Sequence, residues 1–104
     1  MPERRAAARC ALVLEADVTV ESSGAKASAR TSDVGHGGCY IDTLNPIPAG
    51  TLIQLRLSHE GEVFETRARV VYEAPGMGMG VAFLDVPAPQ RAILDRWLAS
   101  ALLA

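Results

Sequence analysis

Hydrophobic and polar positions alternate along most of the chain. Leu12, Leu14, Ala16, Val18 and Val20 fall on one face and Glu15, Asp17 and Thr19 on the other, which predicts a half-buried strand from Leu12 to Val20. Ser22-Ser23-Gly24 marks a turn. A second strand is expected from Lys26 to about Asp33, where the run Gly35-His36-Gly37-Gly38 interrupts it; Cys39 to Asp42 resumes an extended pattern. Asn45 to Gly50 contains two prolines and a glycine and reads as a loop. Thr51 to Ser58 alternates again, with Ile53, Leu55 and Leu57 inward. A hairpin turn over His59 to Glu62 leads into the longest strand, Val63 to Ala74, with Phe64, Thr66, Ala68, Val70 and Tyr72 on its inner face. Pro75-Gly76 turns the chain, and Met79, Val81 and Phe83 carry a last strand. The period then changes. Ile93, Leu94, Trp97, Leu98, Ala101 and Leu102 recur at helical spacing, so a helix is predicted over about 87–103, with Pro87 and Pro89 at its entry.

Short antiparallel strands that close on themselves leave no exposed edge. The expected fold is therefore mainly β: a small six-stranded antiparallel β-barrel with a C-terminal α-helix over an end or a side. A chain of 104 residues has room for one core. Residues 1–10 are expected to be a flexible arginine-containing leader, and residues 11–104 the barrel and its helix. The composition, 49% hydrophobic and 21% charged, is that of a globular chain. A formal net charge of -2 argues against sequence-independent nucleic-acid binding, which needs a basic surface. No apolar run approaches the roughly 18 residues that span a bilayer. Glu15 and Asp17 interrupt the signal-like N-terminal stretch. A cytoplasmic protein without membrane insertion is expected. Cys10 and Cys39 could in principle pair, but in a reducing compartment each is expected to act as a small buried hydrophobe.

His36 and His59 are the only side chains with a neutral-pH base, and neither has a nucleophile or spaced carboxylate beside it in the sequence. HExxH, CxxC and phosphate-loop patterns are missing, as is a zinc signature. No catalysis, no metal and no cofactor is expected. Two clusters stand out instead. Arg4, Arg5 and Arg9 precede the first predicted strand, and Thr31 to Gly38 fills a break between strands. Arg5-xxx-Arg9 followed by Asp33-x-Gly35-xx-Gly38 resembles the signature of the PilZ family, RxxxR and then (D/N)xSxxG. The Gly80-Val81-Ala82-Phe83-Leu84-Asp85 strand end and the following helix extend the resemblance over nearly the whole chain. One position departs: the signature serine is Gly35 here.

The resemblance implies a split-barrel receptor for cyclic di-GMP that orders its N-terminal arm on the ligand and signals through an unidentified protein partner. Its ligand-binding set would be Arg4, Arg5, Arg9, Asp33, Gly35, Gly37 and Gly38, with His36 and Gly80 as outlying members. Residue chemistry agrees with that ligand. A guanidinium grips phosphate or the guanine O6/N7 edge with paired hydrogen bonds, or stacks on the base, and a carboxylate suits the donor edge of guanine. The missing hydroxyl removes a hydrogen bond worth about 1.5–3 kcal/mol, for which Thr31 or Ser32 is a partial substitute. The alternative is a PilZ-fold protein–protein interaction module whose nucleotide binding is weak or lost. A solvated terminus, a turn-forming aspartate and a glycine bulge account for the same residues without any ligand. Ligand stoichiometry stays open, because Arg4 precedes Arg5.

Overall fold

The computed structural model describes residues 9–103, with the backbone alone for Leu103. Its strands are β1 (Arg9–Ala11), β2 (Glu15–Val20), β3 (Lys26–Gly35), β4 (Gly38–Asp42), β5 (Leu52–His59), β6 (Glu62–Ala74) and β7 (Gly78–Leu84), followed by helix α1 (Ala88–Leu103). All pairings are antiparallel, in the order β3-β2-β5-β6-β7-β4, and a β3–β4 pairing closes the ring. The result is a closed six-stranded barrel with β1 as one extra strand and a C-terminal helix.

The inward residues are those the alternation predicts. Leu14, Ala16, Val18, Ile53, Leu55, Leu57, Phe64, Ala68, Val70 and Val81 are buried, and Leu94, Trp97 and Leu98 of α1 join the same core. Tyr72 is a correction. The register between β6 and β7 shifts between Val70 and Tyr72, and this bulge turns the Tyr72 ring out of the core to 49% exposure. Leu102, placed on the apolar stripe of the helix, is also exposed.

The predicted strand from Leu12 to Val20 is two elements. β1 pairs with Asp33–Gly35 and β2 with Lys26–Arg30, so the two follow one another along a single edge of β3. Thr31 stitches the gap. Its hydroxyl donates to the Leu12 carbonyl at 2.7 Å and accepts the Leu14 amide at 2.9 Å, while its own amide donates to the Leu14 carbonyl at 2.9 Å. Arg9 and Cys10, assigned above to a leader, are thereby strand residues.

Cys10 and Cys39 are free and buried. They flank Val34 from opposite sides, Cys10 in β1 and Cys39 in β4. Two strand spacings, about 9–10 Å, exceed the reach of a disulfide. No described helix is long and apolar enough to cross a membrane.

Candidate functional site

β3 brings the two sequence clusters together. Arg9 faces Gly35 across the β1–β3 ladder, and Ala11 faces Asp33. Directly opposed residues share a face of the sheet, so Arg9, Ala11, Asp33 and Gly35 lie on the outer wall of the barrel. There the Arg9 guanidinium donates to Asp33 Oδ1 at 2.7 Å, although 24 positions separate the two residues in the chain. The pair is only partly covered, at 42% and 38% side-chain exposure. An exposed ion pair is worth about 0–1 kcal/mol, so an incoming ligand can take over either partner at little cost.

Asp33 also faces Tyr40 of β4, Tyr40 faces Gly80 of β7, and Gly80 faces Tyr72 of β6. This row of side chains runs across the wall beside the ion pair. Tyr40 and Tyr72, whose ring centroids are 6.1 Å apart, belong to this face and are marked by no motif. Tyr72 became visible only through the bulge. Its ring lies flat over Gly80, where a Cβ would collide with it. The half-exposed Tyr72 ring, three strands from Asp33 with Tyr40 between them, is a surface on which a purine can stack.

The motif glycines do not sit in left-handed backbone. Positive φ occurs at Gly24, Gly50, Gly61 and Gly76 and at none of Gly35, Gly37, Gly38 and Gly80. The ligand-free alternative for Gly37 and Gly38, a bulge needing positive φ, is therefore not what the backbone adopts. Gly38 is required for packing: a Cβ there would run into the Val81 carbonyl oxygen of the neighbouring strand. Gly37 is different, since a Cβ there would meet nothing within 4 Å. The fold itself leaves room for a side chain at 37.

His36 is turned toward α1. Its Nδ1 lies 3.1 Å from Asp95 Oδ1, and its carbonyl accepts a 2.6 Å hydrogen bond from Arg91 Nη1. It is not paired with Arg9 or Asp33. Thr31, considered above as a substitute hydroxyl, is fully buried and spends its hydroxyl on Leu12 and Leu14, so it cannot reach a surface ligand. Arg4 and Arg5 lie outside the described residues.

Beneath the site, burial pushes the Cys39 thiol up to about 12; Arg9 opposes that shift and Asp33 adds to it. Cys39 is thus a neutral core residue under a charged surface. Two wide concavities, of 680 and 820 Å³, lie elsewhere on the barrel wall, around Arg56, Glu65 and Arg67 and around Glu15, Arg30 and Asp42. Neither contains Arg9, Asp33 or a motif glycine. Arg56 and Arg67 of the first are already paired with Glu65 and Glu21. The motif residues thus lie outside both hollows. No group of three or more His, Cys, Asp or Glu able to hold a metal occurs among the described residues.

The PilZ domain model matches residues 3–100 of the chain. Among solved structures, the PilZ domain with c-di-GMP of YcgR from Escherichia coli is similar with a TM-score of 0.79 at 16% identity, covering 95% of this chain and 92% of that one. The PilZ domain of CeSA from a cellulose-synthesizing bacterium is similar with a TM-score of 0.69 at 18% identity, over 89% of this chain and 96% of that one. The Bacillus subtilis inhibitor of motility MotI/DgrA has a TM-score of 0.79 at 17% identity over 98% of this chain, which spans only 53% of the inhibitor. At these identities the likeness is one of fold. No curated protein matches by sequence.

Proposed function

The chain belongs to the PilZ domain family, and from that premise we propose that it is a cyclic di-GMP receptor and adaptor, not an enzyme. The carrying observation is the meeting of Arg9 and Asp33 on an exposed face beside Gly35 and Gly37. In this reading the ligand divides the ion pair. Arg9 moves to a phosphate or to the O6/N7 edge of guanine, and Asp33 accepts from the opposite edge. Gly37 is exposed with open space around it and leaves clearance for the ribose-phosphate ring, whereas Gly35 is buried in the strand. Tyr72 offers a stacking face. Arg4 and Arg5 close over the ligand from the N-terminal side, and the surface changed by that closure is what a protein partner reads. The c-di-GMP present in the YcgR PilZ domain supports this choice of ligand.

One observation favours a second reading, an interaction module that has lost the nucleotide. Gly35 supplies no hydroxyl, and the neighbouring Thr31 hydroxyl is committed to the β1–β2 junction. Calorimetric titration with cyclic di-GMP separates the two. Binding is expected in the micromolar range, about -8 kcal/mol. Arg9→Ala and Asp33→Ala should each weaken it by at least about tenfold, the loss of one charge-assisted bond. Gly35→Ser should tighten it by about tenfold or more if position 35 faces the ligand. No heat at about 100 µM ligand, a bound free energy weaker than about -5.5 kcal/mol, would favour the second reading. Wild-type affinity in Arg9→Ala or Asp33→Ala would refute the site.

A further inference from the structure

The turn that follows Gly35 is held from the C-terminal end of the chain. Arg91 and Asp95 stand one helical turn apart, on the same side of α1. Both reach the same turn residue. Arg91 Nη1 donates to the His36 carbonyl at 2.6 Å, and Asp95 Oδ1 lies 3.1 Å from His36 Nδ1. One contact fixes the backbone of the turn and the other its side chain. On the far side of the turn, the Gly37 carbonyl accepts the Phe83 amide at 2.9 Å.

The helix itself has little freedom. Leu94, Trp97 and Leu98 are buried in the core. Glu62 at the start of β6 takes two hydrogen bonds from Arg96, at 3.1 and 2.8 Å, and one from the Trp97 indole at 3.1 Å. Glu62 is held below the usual carboxylate range chiefly by Arg96 and then by Trp97. Gln90 caps the Glu65 amide at 2.7 Å. α1 also packs against β1, the strand that carries Arg9. A rigid helix thus touches both segments that deliver the candidate ligand contacts: β1, and the turn after Gly35.

We propose that Arg91 and Asp95 are positioning residues which clamp the His36–Gly37 turn to α1 and so set the ligand-competent placement of Gly35 and Gly37. The proposal rests on the reading of this face as a cyclic di-GMP site. Neither residue touches the ligand; each acts through His36. Because the His36–Asp95 contact is half exposed, its loss releases the turn without unfolding the barrel.

The test uses the full chain in two arms. In the first, without ligand, amide exchange is followed by NMR in wild type, Arg91→Ala, Asp95→Ala and Arg91→Lys. The Phe83 amide, which donates to the Gly37 carbonyl, should exchange about tenfold faster in the alanine variants, a local opening, while β5 and β6 amides and the urea midpoint stay at wild-type values. Arg91→Lys keeps a donor for the His36 carbonyl and should restore slow exchange. In the second arm, cyclic di-GMP should bind the alanine variants about three- to tenfold more weakly, and Arg91→Lys near wild type. Unchanged exchange overturns the clamp. Faster exchange with unchanged affinity overturns its role in binding. A fall in the urea midpoint that tracks the loss of affinity reduces both residues to general stabilisers and overturns the proposal as well. If wild type binds no cyclic di-GMP, the functional reading fails by itself, and the ligand-free arm still decides whether the turn is clamped.

Discussion

Gly38 and Gly80 both sit on the outer wall, yet the fold demands glycine at them to very different degrees. At Gly38 a Cβ would meet the Val81 carbonyl oxygen, which belongs to the backbone of a paired strand and cannot rotate away. At Gly80 the obstacle is the ring of Tyr72, the end of a side chain already half out in solvent. Gly38→Ala should therefore part β4 from β7 and cost about 2–3 kcal/mol or more, the upper range for overpacking. Gly80→Ala should cost less than about 1 kcal/mol, because the ring can swing aside. Urea unfolding of both variants checks the contrast, and the Tyr72 ring proton shifts in Gly80→Ala report the displacement. Equal costs would mean that the Tyr72 ring is as fixed as the strand backbone. The motif glycine at 38 is thus explained by packing alone. Gly37, with open space around it, is the position where absence of a side chain needs a cause outside the fold.

At the level of elements, β1 matters most, since it carries Arg9 and is only three residues long. A strand this short cannot hold itself; its attachment depends on the ladder to Asp33–Gly35 and on the Thr31 stitch just below. Thr31→Val keeps the shape but leaves the buried Leu14 amide and Leu12 carbonyl without that partner, a cost of about 1–3 kcal/mol. The amides of β1 should lose exchange protection more than those of β5 and β6, and exchange NMR reads this directly. Uniform loss across the sheet would mean that β1 and the barrel open together. These features also explain what could be read in advance. Period-two alternation survives wherever the barrel interior imposes it, as at Leu14, Ala16 and Val18 or Ile53, Leu55 and Leu57, which are all buried. It carries no mark of the break at Leu12–Leu14, because that break is made by a threonine 17 positions away from Leu14. It also carries no mark of the bulge that exposes Tyr72. The meeting of Arg9 with Asp33 was legible only through motif spacing, since strand register leaves no trace in hydropathy. The apolar stripe of the helix carries no mark of Arg91 and Asp95, which lie off it and reach His36. Their spacing of four on the polar side was the available signal.

In the whole molecule, one core underlies both the candidate site and the helix, and Cys39 is the part of it beneath the site. It is fully buried, faces Val34, and feels both Arg9 and Asp33 from the surface above. Its thiol has an ordinary value of 9.0 and is pushed up to about 12 by burial. The sign of the consequence follows from proton counting. Between those values the unfolded chain loses the thiol proton while the folded chain keeps it, so the folded state binds more protons and stability falls as pH rises. The slope is at most about 1.4 kcal/mol per pH unit for one group. Other groups also titrate in this range, so the useful quantity is the difference from Cys39→Ala. That variant carries a cavity cost of its own, but the cost is independent of pH. Wild type should be more stable than Cys39→Ala at about pH 8, and the gap should narrow by about 1–2 kcal/mol at about pH 10.5. Urea unfolding at the two pH values measures it. A gap that stays constant would mean that Cys39 ionises in place, and hence that water reaches the core directly under Arg9 and Asp33. The closed barrel wall would then be breached at the candidate site itself.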